Sequence, residues 1–224
     1  MDEILFRLRS NSICKDVERP LNCQATRGRF DQMRKTREQT AESKAKIVDT
    51  AARLLRERGV AGASIADVMG AAGMTQGGFY RHFASKDDLL AAATRHAFAN
   101  MADGIDRDTD KGGAEAALAA YVARYLSAEH IAHPGIGCPA AGFGADAGRI
   151  PDVLGAEFAD GAEQLITRVA AGLAARGVAE REARGEAIRT LTMLIGTVVM
   201  ARALGPSALQ DEIVAAAQDK LAAE

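Results

Sequence analysis

The stretch Thr75-Gln76-Gly77-Gly78-Phe79-Tyr80-Arg81-His82-Phe83 gathers side chains able to bond nucleic acid. A glutamine such as Gln76 presents a donor beside an acceptor, which matches the major-groove edge of adenine. Thr75, Tyr80, His82 and Lys86 each carry a hydroxyl, ring N–H or ammonium donor for phosphate oxygens. Gly77 and Gly78 each cost about 1 kcal/mol relative to alanine inside a helix, so close approach of the backbone to another surface would explain them. Phe79 and Phe83, four residues apart, are expected to face a core. Singly, these residues also suit a half-buried tyrosine, a surface histidine and a solvated lysine. Their clustering on the solvent side of one short helix is what points to DNA.

Cysteine and histidine offer other chemistry. Cys14, Cys23 and Cys138 are odd in number and lack Cys-x-x-Cys spacing, so neither a disulfide framework nor a zinc finger follows. Cys138, in Gly137-Cys138-Pro139, could be a thiol that senses electrophiles or oxidants, the nucleophile of a small thiol enzyme with His133, or a buried structural thiol. His130, His133 and Cys138 could supply three metal ligands, but Pro134 interrupts the helix and no fourth ligand is evident. No metal and no cofactor is expected. The chain also lacks a phosphate-binding Gly-x-x-x-x-Gly-Lys loop, a dinucleotide fingerprint and a nucleophile elbow, so no enzyme is expected.

The elements that must position these residues are helices. Thr36-x-x-Gln39 has the form of a capping box, after which Ile47, Val48, Ala51, Leu54 and Leu55 recur at helical spacing up to Gly59. Ser64-x-x-Asp67 opens a second, short helix closed by Gly73. Thr75 then caps a third helix through Phe83, and Ser85-x-x-Asp88 opens a fourth that runs to about Ile105. Two short helices joined by a tight turn, with a third before them, form a helix-turn-helix. Residues 106–113 read as a loop. Further helices follow from Ala114, with a break at His133-Pro134-Gly135, no assignment over Gly137–Gly148, and helices over Pro151–Arg176, Glu180–Leu204 and Ser207–Leu221.

Composition agrees with an all-α chain. Its 224 residues are 48% apolar and 4% aromatic, with no Trp and 5 Pro. The longest apolar stretch, 190–201, falls short of the roughly 20 residues of a membrane span. The first ten residues lack a secretory core, so no membrane association and a cytoplasmic location are expected. Residues 1–90 hold 16 Lys and Arg against 12 Asp and Glu, whereas the rest holds 12 against 18, which makes the first part the side suited to a polyanion. Residues 1–32 show no sustained period. They read either as a flexible basic arm or as an extension upstream of a natural start at Met33.

The run SIADVMGAAGMTQGGFYRHFASKDDLL, preceded by IVDTAARLLRERGV, resembles the N-terminal domain of the TetR/AcrR family of transcriptional regulators over about residues 44–90. The resemblance implies that the helix from Thr75 reads operator bases, that Tyr80, His82 and Lys86 contact phosphates, and that Phe79 packs inside. Where some members carry a base-contacting arginine early in the second helix, this chain has Ala66. Readout is therefore expected to rest on Gln76 and Gly77, with Ser64 at the second helix's start and the basic Arg34, Lys35 and Arg37 in support.

The expected domains are a flexible extension over 1–35, a helix-turn-helix DNA-binding domain over 36–90, and a helical ligand-binding and dimerisation domain over 91–224. The resemblance implies a homodimer through the last two helices, a small-molecule effector and a double-stranded DNA operator, the protein acting as a repressor released by the effector. Leu191, Met193, Leu194, Ile195, Val198 and Val199 suit a helix buried against neighbours and a partner. Met101, Tyr121, Tyr125, Cys138, Phe143, Phe158 and Met193 are the candidate effector-pocket residues, chosen for apolar bulk with a few polar handles.

Overall fold

The structure is a computed structural model that describes residues 23–222, with side chains from residue 37 onward. Contacts divide the chain into two units, Met1–Ser43 and Lys44–Glu224. Among the described residues every regular element is a helix. The first, α1 (Cys23–Arg58), starts well upstream of Thr36, which lies inside it and not at its start. No proline follows Pro20 until Pro134, and Ala, Gln, Arg, Lys and Met favour continuation. The helix stops at Gly59, whose φ of 69° is open to glycine at little steric cost.

The second element, α2 (Ile65–Ala71), carries the expected capping box: the Ser64 hydroxyl accepts from the Asp67 N–H at 3.1 Å, and the Ser64 N–H donates to the Asp67 carboxylate at 3.3 Å. Gly73, at φ 72°, makes the tight turn. The third element differs from expectation. It is a 3-10 helix, Gln76–Arg81, and Thr75 makes no side-chain cap. The Gly77-Gly78 pair weakens α-helix formation, and the backbone instead closes i to i+3 bonds such as Gly78 N–H to Thr75 O at 3.0 Å. Ile47, Leu54, Leu55, Val68, Phe79 and Phe83 meet in one core with the start of the next helix.

That next helix, α3 (Lys86–Tyr125), is capped by the Ser85 hydroxyl at Asp88 N–H, 3.1 Å, and runs through the polar stretch expected to be a loop. Partners neutralise its acids. Asp106 is bound by Arg168 at 2.7 and 2.6 Å, and Asp108 by Arg124 at 2.6 Å. Only Gly113, at φ 83°, leaves helical geometry and kinks the rod.

Two short helices follow, α4 (Ala128–Ala132) and α5 (Pro139–Ala147), separated by a 3-10 turn, Pro134–Ile136. Then come α6 (Pro151–Ala175), α7 (Glu180–Leu204) and α8 (Ala208–Ala222), with Gly177 and Gly205 at positive φ ending α6 and α7. The helix α6 packs along α3 closely enough that a side chain at Gly172 would stand 2.6 Å from Leu118 Cβ, and one at Gly161 would strike the Phe98 ring. By length and composition alone α7 could cross a bilayer. Its Ala187, Leu191, Leu194 and Val198 are instead buried in a second core with α3, α6 and α8.

Candidate nucleic-acid interface and internal cavity

The 3-10 helix splits its aromatic pair. Phe79 is 0% exposed and stacks on Phe83 at 5.6 Å, whereas Tyr80 is 73% exposed, its ring edge-to-face with Phe79 at 5.1 Å. Thr75, Gln76 and Gly77 are exposed with it, and nothing lies within 4 Å of where a side chain at Gly77 would stand. That open backbone is the kind another surface can approach. His82 is half-buried, and its Nδ1 is enclosed without a partner. The Lys86 ammonium donates to Val60 O at 3.4 Å, a long bond that holds the lysine beside the turn after α1.

Ser64 is committed locally. Its hydroxyl is engaged by the Asp67 N–H and lies in short contact with the Asp67 carboxylate, which this bond holds below the usual carboxylate range. Arg37 is exposed on α1, while the side chains of Arg34 and Lys35 lie outside those described, as do residues 1–22 of the expected extension.

Two cations escaped the sequence reading. The Lys44 ammonium lies 5.1 Å from the Phe83 ring centroid, and Lys46 reaches to 3.8 Å from where a side chain at Gly73 would stand. Both flank the helix-turn-helix. Their position two residues apart on α1, just before its apolar stripe, was the available signal.

Behind these helices lies a cavity of about 480 Å³, within the range of small-molecule sites. Of the candidate pocket residues, Met101, Tyr121 and Tyr125 line it. Phe143 and Phe158 do not: with Phe98 they form an edge-to-face cluster at 5.1 and 5.3 Å in the core. Met193 packs against the second core, and Cys138 sits behind the wall, next to the lining residue Gly137. Arg56, which the sequence reading passed over, reaches the cavity from α1.

Cys138 is 1% exposed, and burial pushes its thiol up, away from the reactive thiolate. Beside it, His130 is fully engaged. Its Nε2 accepts from the Cys138 N–H at 3.0 Å and its Nδ1 donates to Tyr125 O at 2.6 Å, which defines a neutral ring, and burial lowers its pKa. With both nitrogens used, His130 has none left for a metal. Among the described residues no His, Cys, Asp and Glu cluster could hold one. From the far side, Arg202 of α7 donates to His130 O at 2.7 Å and Ile131 O at 3.2 Å, tying α4 to α7.

Residues 47–93 match the model for bacterial regulatory proteins of the tetR family. Over 60 residues the chain is 40% identical to the HTH-type transcriptional regulator TtgR of Pseudomonas putida, covering 27% of this chain and 29% of that protein. Over 58 residues it is 40% identical to the HTH-type transcriptional regulator AcrR of Shigella flexneri, covering 26% and 27%. The chain thus aligns with under a third of the length of these relatives. The fold match is broader: a TetR transcriptional regulator from Legionella pneumophila superposes with a TM-score of 0.67 over 78% of this chain and 95% of that one, at 17% identity. Residues 47–93 thus carry the DNA-binding domain of bacterial regulatory proteins of the tetR family, and the helical order over most of the chain is the fold seen in TetR regulators.

Proposed function

We propose that the protein is a ligand-responsive regulator that binds double-stranded DNA as a homodimer in the cytoplasm and is released by a small molecule, acting as a repressor. One observation carries this reading: a short helix that buries Phe79 completely while presenting Tyr80, Gln76 and the bare Gly77 backbone to solvent. Core packing gives no reason to expose that tyrosine, whereas a groove-reading helix needs it there. In this reading Gln76 and Gly77 meet base edges, and Thr75, Tyr80, His82 and Lys86 meet phosphates, joined by Lys44 and Lys46. Ser64 supports the interface as a cap, and Arg34, Lys35 and Arg37 add positive charge suited to phosphates.

The homodimer is supported by an apolar row on the last two helices: Ile188, Val199, Met200 and Leu204 of α7 and Leu209 of α8 are each at least 37% exposed. A two-fold pair would set its recognition helices about 34–36 Å apart on DNA. Communication has a physical route. Asp146 of α5 accepts from the Val60 N–H at 2.9 Å, and a side chain at Gly142 would stand 3.0 Å from Arg56 Cα, so α5 is seated on the end of α1. A hundredfold loss of DNA affinity on effector binding needs about 2.7 kcal/mol of difference between the two states. A thiol-sensing or catalytic reading through Cys138 draws no support from a thiol so enclosed.

The test is selection of sites from a random duplex library by the full-length protein, followed by titration of the enriched site and a scrambled duplex at two salt concentrations. An enriched near-palindrome, bound at least about a thousandfold tighter than the scramble and with a steep salt slope, is the expected result. Equal weak binding to both duplexes would overturn the reading.

A further inference from the structure

The cavity is unevenly satisfied. Around it, His130 uses both ring nitrogens, and Arg124 is bound to Asp108 at 2.6 Å. Three enclosed groups are left over. Arg56 is 8% exposed and its Nε is enclosed without an acceptor, the enclosed Tyr125 hydroxyl has only the Cys138 thiol beside it, and the Tyr121 hydroxyl reaches only the Met101 sulfur, at 4.0 Å. All three can donate, and one is a cation. Of the carboxylates acting on Arg56, Asp49 is engaged by His96 at 3.3 Å and Glu57 by Arg53 at 3.0 and 2.9 Å, and neither bonds the Arg56 Nε. A buried guanidinium nitrogen without an acceptor is costly, and the open side from which an acceptor can reach the Arg56 guanidinium is the cavity it lines. The remaining wall is mixed: Ala97, Met101, the tyrosine rings and Ile136, 66% exposed at the mouth, are apolar, while Asn100, Arg107, Ser127 and Glu129 add polar groups, one of them a further cation and one a carboxylate.

We propose that this cavity binds a small organic anion, a carboxylate or phenolate on a flat apolar body, whose charged oxygens are held by the Arg56 guanidinium with the Tyr125 hydroxyl as second donor. The inference rests on the reading of the chain as a ligand-responsive regulator and names the chemical class of its effector. A planar guanidinium fork pairs with a carboxylate through two parallel bonds, and the flat body can lie against Met101 and the Tyr121–Tyr125 pair, which are packed edge-to-face at 5.6 Å. Arg56 also gives the effector a direct hold on the DNA-binding helices. It lies in the last turn of α1, whose Ile47, Leu54 and Leu55 form the core beneath the 3-10 helix, and its backbone is where α5 rests. An anion drawn onto Arg56 therefore acts on the seat between α1 and α5.

The test uses the full-length protein with benzoate, 2-naphthoate and the two matching amides, read by calorimetry and by the rise in melting temperature near neutral pH. The carboxylates are expected to bind at least about tenfold tighter than the amides, the size of a hydrogen bond to a charged group. Arg56→Met should erase that preference. Tyr125→Phe should weaken carboxylate binding severalfold while keeping it. Equal binding of acid and amide to the unaltered protein, no binding of either acid at millimolar concentration, or a preference that survives in Arg56→Met would each overturn the proposal. The acid-against-amide comparison needs no variant, so it decides the matter even if Arg56→Met fails to fold. Sequence-selective DNA binding without acid binding would remove this proposal and leave the regulator; acid binding through Arg56 without selective DNA binding would do the reverse.

Discussion

Adjacent side chains on the 3-10 helix lead opposite lives, and the difference assigns them testable roles. Tyr80 is exposed and packs edge-to-face on Phe79, so Tyr80→Ala should leave the melting temperature within about 2 °C while weakening binding to every duplex. Gln76→Ala should chiefly relax base preference, by about 1–3 kcal/mol at one position of the enriched site. Equal losses on selected and scrambled duplexes for Gln76→Ala would remove its reading role.

His130 supplies a pH prediction. Its folded pKa is lowered because burial disfavours the charged ring, and protonation at Nε2 would abolish the bond accepted from Cys138 N–H. Below the ordinary histidine pKa of about 6.5 the unfolded chain binds the extra proton first, so stability is present above that pH and falls as pH drops toward the lowered folded value. Melting curves between neutral and mildly acidic pH should show this loss, and His130→Asn should flatten it. The interior stripe of α1 and the exposed polar run after Gly73 were legible in the sequence because each lies on one local helix. Arg56 was not: nothing in its neighbours says that the residue facing it is Gly142 from another helix.

At the scale of elements, local signals located the helices well where their ends carry glycine, proline or a capping serine. The spans α6 and α7 match expectation within a residue because Pro151, Gly177 and Gly205 mark them. The failures have definite causes. The stretch 106–113 reads as a loop only while its acids are imagined alone; Arg168 and Arg124 come from other turns and from another helix to satisfy them. The segment 76–81 reads as an α-helix by capping and spacing, yet two glycines leave it in the tighter form. Close packing of α3 on α6 depends on missing side chains. Gly172→Ala would place a Cβ 2.6 Å from Leu118 Cβ and 3.0 Å from Ala114 O, and should destabilise by about 1–3 kcal/mol in a denaturant titration. An unchanged or raised midpoint would show that α3 and α6 can part without cost.

For the whole molecule, the proposed dimer is tested at the exposed apolar row of α7 and α8. Met200 is 49% exposed and Val199 44%, so the pair Val199→Asp and Met200→Asp should disturb the monomer little. In light-scattering measurements the altered protein should shift from dimer to monomer, and its affinity for a palindromic duplex should fall by at least about tenfold because the two half-sites are no longer bound together. A dimer that persists would place the partner face elsewhere.

The amino-acid sequence by itself determined the helical class, the order of helices, the capping box at Ser64 and the turn at Gly73, because periodicity and capping act over a few residues along the chain. Its likeness to a family was confined to the helix-turn-helix for the same reason: the chemistry there is carried by neighbouring residues. Only the tertiary structure decided that Phe143 and Phe158 belong to the core, that Cys138 is enclosed behind His130, and that a buried arginine from the first helix opens into the cavity. Those outcomes depend on which faces of distant helices meet, and packing between helices leaves no periodic mark in the sequence of either one.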